Sequence, residues 1–440
     1  MNSSDTIYAL ASGHGKAGVA VFRISGAKAL EVLPQLGHAA PLEARQATLV
    51  ALSHAGRPID QALALTFPGP RSFTGEDVLE LHTHGSRAVA NLLLDALSSL
   101  PGLRLAEPGE FARRAFLNQK FDLLEAEGLA DLIDAETPAQ HAQAMRQLGG
   151  DMSGRIAALR EKILMPLALL EAYIDFPDED IPEETLTEVR EGIVALGAEI
   201  RQLLDDGGIG EKIREGIEIV IFGPPNAGKS SLLNALARRD VAIVSDEAGT
   251  TRDMIEVHLN LDGYAVTLVD TAGMREKALG KIEEEGIRRA HHRAEHAALK
   301  IALLDIVTAA EDYSHIQSLI DENTLVVLNK SDLADTPHSL LFDTHISTAS
   351  GDGIDKLIAM LKERIAVLVD NAPSPLITRA RHRDAFSHAL AALTRFSTDT
   401  PLELMGEELR VAAHAIGKIT GKITTDDLLD VVFRRFCIGK

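Results

Sequence analysis

Gly223-Pro224-Pro225-Asn226-Ala227-Gly228-Lys229-Ser230 has the residue types and spacing to close around a polyphosphate. The pattern G-x-x-x-x-G-K-[ST] needs a strand before it and a helix after it. Ile217-Glu218-Ile219-Val220-Ile221-Phe222 supplies the strand, and Ser231-Leu232-Leu233-Asn234-Ala235-Leu236-Ala237 the helix. The glycines let backbone N–H groups converge on an anion at a helix N-terminus, whose dipole favours negative charge. Lys229 is expected to reach the β- and γ-phosphates and the Ser230 hydroxyl to ligate Mg²⁺. Asn226, Ala227, Gly228 and Ser231 complete the stretch that faces the ligand.

Three further segments follow in the order that a guanine-nucleotide hydrolase requires. Asp270-Thr271-Ala272-Gly273 ends the apolar run Ala265–Val269, so its carboxylate can hold a Mg²⁺ shell and the Gly273 N–H can meet a γ-phosphate. Asn329-Lys330-Ser331-Asp332 ends the run Thr324–Leu328. The Asp332 carboxylate can accept guanine N1–H and N2–H, a donor pair that adenine lacks, which favours GTP over ATP. Ile346-Ser347-Thr348-Ala349 ends a last short strand and is expected to back the base. Between the first two segments, Ser245-Asp246-Glu247-Ala248-Gly249-Thr250-Thr251 reads as a switch loop, with Thr251 as a second Mg²⁺ ligand.

Met274 stands where a water-orienting Gln follows the D-x-x-G segment in many relatives. Arg275 is a candidate arginine finger by position alone. Asn226 offers a side-chain carbonyl, and a monovalent cation held there with switch-loop oxygens can replace an arginine. Glu283 is a candidate to orient water; its neighbours Glu284 and Glu285 leave open an ordinary acidic helix face.

The elements that must position these residues are alternating strands and helices over 214–366, a pattern that implies a mainly parallel sheet covered on both faces. Residues 1–118 mix strands such as Ala17–Ile24 and Val78–His82 with a helix over Ala88–Leu97, an α+β domain. Residues 119–213 and 367–440 carry apolar residues at three- and four-residue spacing, the period of helices. One helical domain interrupted by the nucleotide domain is the simplest organisation.

With 440 residues and 45% apolar composition, the chain can build more than one core. One Cys excludes an internal disulfide and fits a reducing cytoplasm. No basic, apolar leader marks residues 1–20, and no apolar run reaches the ~20 residues of a membrane helix. A cytoplasmic protein without a membrane is expected. The net charge of −21 excludes a general polyanion coat. Any RNA contact must be local or shared with a basic partner. His82 and His84 share a strand face but have no evident third ligand. Cys437 reads as a redox thiol or, more simply, as a small apolar residue docking the tail.

The motifs together resemble the MnmE (TrmE) family of tRNA-modification GTPases. The resemblance rests on residues 225–231, on Ala248-Gly249-Thr250-Thr251-Arg252-Asp253, on 270–273 and on the ending Cys437-Ile438-Gly439-Lys440. Gly18–Gly26 and Arg71–Asp77 resemble the family's N-terminal signatures. It implies a multidomain α/β chain: an N-terminal α+β folate-binding and dimerisation domain, an all-α domain, and an inserted Ras-like GTPase domain. It implies a potassium-dependent homodimeric GTPase that works with MnmG, which carries FAD. Together they modify C5 of the wobble uridine (position 34) of certain tRNAs to an aminomethyl or carboxymethylaminomethyl group, with a one-carbon unit from 5-formyl- or 5,10-methylene-tetrahydrofolate. Asn226, Ser245, Glu247 and Thr250 would then surround K⁺, Ser230 and Thr251 would bind Mg²⁺, and Glu283 (or Glu284) would be catalytic. Arg23, Glu80, Lys120 and Lys440 match the folate contacts. The alternative is a regulatory switch GTPase of ribosome assembly without modification chemistry.

Overall fold

The computed structural model describes residues 5–175, 183–239, 256–270, 297–335, 340–370, 375–395, 400–422, 432, 433, 436 and 439. The chain forms two compact units, Met1–Ala130 with Gln147–Leu164 and Ala413–Lys440, and Asp131–Arg146 with Met165–Ala412.

The first unit is built on β1 (Thr6–Leu10), β2 (Ala17–Ser25), β3 (Thr48–His54), β4 (Arg57–Phe67), β5 (Val78–Gly85) and β6 (Leu103–Leu105). They form one sheet in the order β3-β4-β5-β2-β1-β6, antiparallel except where β6 joins β1. Alternation along the strands makes one face apolar: Ala20, Phe22 and Ile24 of β2 pack with Leu79 and Leu81 of β5. Helix α1 (Arg87–Ser98) covers that face with Leu93, Ala96 and Leu97, and Ser86 caps it by accepting the Val89 N–H at 3.1 Å. The opposite face carries Val19, Arg23, Leu49, Leu63, Glu80 and His82; Leu49 and Leu63 face each other across β3 and β4 and are 65% and 44% exposed.

Helix α2 (Glu110–Leu117) is tied to this sheet by charge. The Glu110 carboxylate, 5% exposed, accepts from Arg104 Nη2 at 2.6 Å, Arg104 Nη1 at 2.8 Å and Arg114 Nη2 at 3.0 Å. Arg114 also reaches Glu76 at 3.0 Å. Burial pushes the Glu110 carboxyl up, but the Arg104 hydrogen bonds, the Glu107 N–H and Arg114 outweigh it and hold it below the usual carboxylate range. Its stabilisation is therefore complete above the ordinary carboxyl range and is lost as pH falls through the depressed native value. Glu110→Gln is expected to cost about 3 kcal/mol at neutral pH. In thermal melts the gap from the parent should close as pH drops below 4, the range in which ordinary carboxyls are protonated.

Helices α3 (Leu123–Asp134), α4 (Pro138–Leu148), α5 (Asp151–Asp175), α6 (Glu183–Leu204) and α7 (Ile209–Glu215) follow. The helical expectation for this stretch is met. Arg383 of the later helix Ala380–Leu393 binds Asp206 at 2.8 Å, Glu211 at 2.8 Å and the Leu204 carbonyl at 2.9 Å.

The second unit holds β7 (Ile217–Phe222), β8 (Glu256–Leu261), β9 (Tyr264–Asp270), β10 (Leu299–Asp305), β11 (Thr324–Asn329) and β12 (Thr344–His345). Their order is β12-β11-β10-β7-β9-β8, parallel apart from the β8–β9 hairpin. Ile219 and Ile221 join the core that contains Leu232 and Leu236 of helix α8 (Lys229–Ala237), while Phe222 joins Ala302 and Leu304 on the other face. Both faces are buried, which is why these strands read as continuous apolar runs. No helix among the described residues is long and apolar enough to cross a membrane.

Candidate nucleotide site

The carboxyl ends of the parallel strands carry the nucleotide segments, where ligands bind in open α/β sheets. After β7, the chain turns through Gly223 (φ 149°), Asn226 (φ 64°) and Gly228 (φ 96°) into α8. A Cβ at Gly223 would lie 2.0 Å from the Leu303 carbonyl oxygen, so only glycine lets the loop pass β10. Asn is among the few side chains that tolerate the left-handed region at 226.

Lys229 is buried and places Nζ 3.0 Å from the Gly223 oxygen and 2.8 Å from the Pro224 oxygen, which keeps its ammonium at the mouth of the loop. Ser230 Oγ donates to Asp270 Oδ2 at 2.8 Å. β9 pairs with β7 so that Asp270 stands opposite Ile221, and this register delivers the carboxylate to the start of α8. A hydroxyl beside a buried carboxylate is the hard-oxygen donor set that suits Mg²⁺.

The base-side segments are knitted together. Asn329, fully buried, donates from Nδ2 to the Ala227 oxygen at 2.8 Å and accepts the Thr348 N–H at 3.2 Å. Ser347 Oγ donates to Asp332 Oδ1 at 2.6 Å, and the Ser331 N–H to the Ile346 oxygen at 3.1 Å. The contact at position 348 is made by the backbone N–H, which any residue but proline would supply. Ala349 follows in the same turn. One participant escaped the sequence reading: Asp305 binds Lys330 Nζ at 2.6 Å. Burial raises the Asp305 carboxyl, and Lys330 with the Val307 N–H outweighs it and holds it below the usual range. The available signal was its place: Asp305 ends an apolar strand, as Asp270 and Asn329 end theirs.

In the first sheet, Arg23 and Glu80 stand opposite in register and pair at 2.8 Å. The Arg23 guanidinium lies 5.1 Å from the Phe73 ring centre, and Phe73 meets Phe121 at 6.0 Å. Lys120 donates to the Pro70 oxygen at 2.9 Å. Of the three of these positions that are described, two touch directly, and Lys120 joins the loop that carries Phe73. A carboxylate acceptor, a cation and two flat rings fit a pterin and its anionic tail. His82 sits 3.5 Å from Glu80 and the exposed His84 2.8 Å from Asp60; no cluster of three metal ligands occurs among the described residues.

Ser245, Asp246, Glu247, Ala248, Gly249, Thr250, Thr251, Thr271, Ala272, Gly273, Glu283, Glu284, Cys437 and Lys440 lie outside the described residues.

Sheet, phosphate loop and base-side motifs define a P-loop protein of the GTPase class. A family model described as the GTP-binding protein TrmE N-terminus matches residues 6–120, and one described as the MnmE helical domain matches 123–437. The chain belongs to the MnmE family of tRNA modification GTPases. It is 50% identical to the tRNA modification GTPase MnmE of Parvibaculum lavamentivorans over 445 residues, covering 99% of this chain and all of the relative. It is 48% identical to that of Paramagnetospirillum magneticum over 442 residues, with 99% and 100% covered. Among solved structures, Era of Aquifex aeolicus bound to GDP.AlF4- is 23% identical, covers 42% of this chain and 69% of its own, and has a TM-score of 0.27.

Proposed function

We propose that this chain is a potassium-dependent GTPase that, paired with MnmG and FAD, installs an aminomethyl-type group at C5 of the tRNA wobble uridine. The observation that carries the reading is the convergence of Ser230 on Asp270, and of Asn329 on Ala227 and Thr348, in a chain of this family.

Lys229 and the loop N–H groups would bind the phosphates, and Asp332, oriented by Ser347, would bind the guanine edge. Ser230 and Thr251 would hold Mg²⁺. The Asn226 side chain and oxygens of Ser245, Glu247 and Thr250 would hold K⁺. When bound, the two ions neutralise charge on the transferring phosphate. Glu283 would orient the water. Arg23, Glu80, Lys120 and Lys440 would hold a tetrahydrofolate as the one-carbon donor. The exposed Leu49 and Leu63 face is the surface through which two N-terminal domains would pair.

GTP turnover in K⁺ is expected to exceed that in Na⁺ by at least about tenfold, because a smaller ion fits the oxygen cage poorly and loses transition-state stabilisation. Asn226→Ala should erase the ratio. Comparing the two salts within one variant cancels any strain that Ala suffers at this left-handed position. Equal rates in the parent protein would remove the cation from the proposal. In the same preparation, failure to bind 5-formyltetrahydrofolate would favour a switch without modification chemistry.

A further inference from the structure

Strands β7 and β9 lie side by side and end in the phosphate loop and in Asp270. Their opposite ends are gripped by one helix. The β8–β9 turn, Asp262 (φ 52°) and Gly263 (φ 90°), points its Gly263 carbonyl at the Ala139 N–H of α4, at 3.0 Å. The Pro138 ring lies 3.6 Å from where a Gly263 Cβ would stand. The turn itself is stiffened by Asn260 Oδ1, which accepts the Gly263 N–H at 2.8 Å, and by a Lys362–Asp262 ion pair at 2.7 Å.

Two turns of α4 hold the approach to β7. Gln140 accepts at Oε1 from the Glu136 and Thr137 N–H groups at 3.0 and 3.1 Å, the arrangement of a capping box. Its Nε2 donates to the Arg214 oxygen at 3.2 Å. Gln143 donates from Nε2 to the Gly210 oxygen at 2.9 Å. Both acceptors belong to α7, which ends two residues before β7 begins. A cavity of about 140 Å³, lined in part by Asp134, Gln140, Gln143 and Arg214, adjoins these bonds.

We infer that Gln140 and Gln143 are positioning residues for the nucleotide reaction: they tie α7, and through it the starting end of β7, to α4, whose Ala139 N–H holds the turn that starts β9, and so they set the separation of Ser230 and Asp270 that Mg²⁺ coordination requires. Strands are stiff along their axes, so a slip at one end moves the loops at the other. The inference rests on the GTP reading.

The test is the double variant Gln140→Glu with Gln143→Leu in the full chain. Glu keeps the helix cap and replaces the Arg214-facing donor with an acceptor. Gln143 Oε1 is buried without a partner among the described residues, so Leu removes a bond and an unmet acceptor together, and the two changes offset. Amide exchange at Ile219–Phe222 and Val266–Val269 should quicken about tenfold, the equivalent of one lost hydrogen bond, with β2 and β5 unchanged. The Mg²⁺ concentration for half-maximal GTP turnover should rise by a similar factor. Unchanged exchange in β7 and β9, or equal quickening in both sheets, would overturn the inference. A parent chain that hydrolyses no GTP would sink the GTP reading, while the exchange result would still decide whether α4 braces the strands.

Discussion

Asp332→Asn is expected to move the base preference from guanine to xanthine. Asp332 would offer two acceptors to a base edge that presents two donors, and Ser347 holds one of its oxygens at 2.6 Å. Asn keeps one acceptor, which Ser347 and a base N1–H can share, and turns the other position into a donor. That donor repels guanine N2–H and suits the 2-oxo group of xanthine. Charge-assisted hydrogen bonds contribute about 1.5–3 kcal/mol each, so two of them correspond to a loss of about 10² to 10⁴ in GTP affinity. Titration with labelled GTP and xanthosine triphosphate measures both sides of the exchange. A variant that kept its GTP affinity would place base recognition elsewhere.

Gly228→Ala should do comparable damage by a different route. Position 228 has φ 96°, and an added Cβ would lie 2.2 Å from Asn329 Nδ2. That nitrogen is the donor that ties the base-side segment to the Ala227 oxygen. The substitution therefore strains the backbone and pushes Asn329 off its partner in one step. Together these cost about 2–4 kcal/mol, from strain of about 1–3 and a displaced hydrogen bond of about 1. Denaturant titration should show the loss of stability, and nucleotide affinity should fall at least about a hundredfold because the loop N–H groups lose their aim. Normal nucleotide affinity in the variant would mean that the loop can re-form around a Cβ.

The nucleotide segments were legible because each is short, contiguous and placed at the end of an apolar strand. Phosphate binding needs glycines at fixed offsets, and guanine recognition needs an acidic residue just past Asn329 and Lys330; local spacing records both. The mainly parallel sheet was legible for a related reason, since strands buried on both faces have no polar alternation. Partnerships across long separations were hidden. Asp305 with Lys330, and Arg104 with Glu110 and Arg114, are ordinary charged residues until the fold brings them together. The grip of α4 on the β8–β9 turn was hidden too, although Asp262-Gly263 is a strong two-residue hairpin signal. Arg23 opposite Glu80 follows from strand register, which periodicity does not provide. The segment 346–349 was expected to back the base; its spacing held no sign that the Ser347 hydroxyl donates to Asp332.

The Arg383 clamp has a consequence for how the molecule is made. Arg383 follows Asp206 by 177 residues and Glu211 by 172. At synthesis rates of roughly 5–20 residues per second, those two acids wait roughly 9–35 s on the ribosome before their cation is translated. During that interval every strand from β7 to β12 has already been made. Slow codons placed just ahead of Arg383 would lengthen the wait, leaving the acids open to stray lysines of the nascent chain.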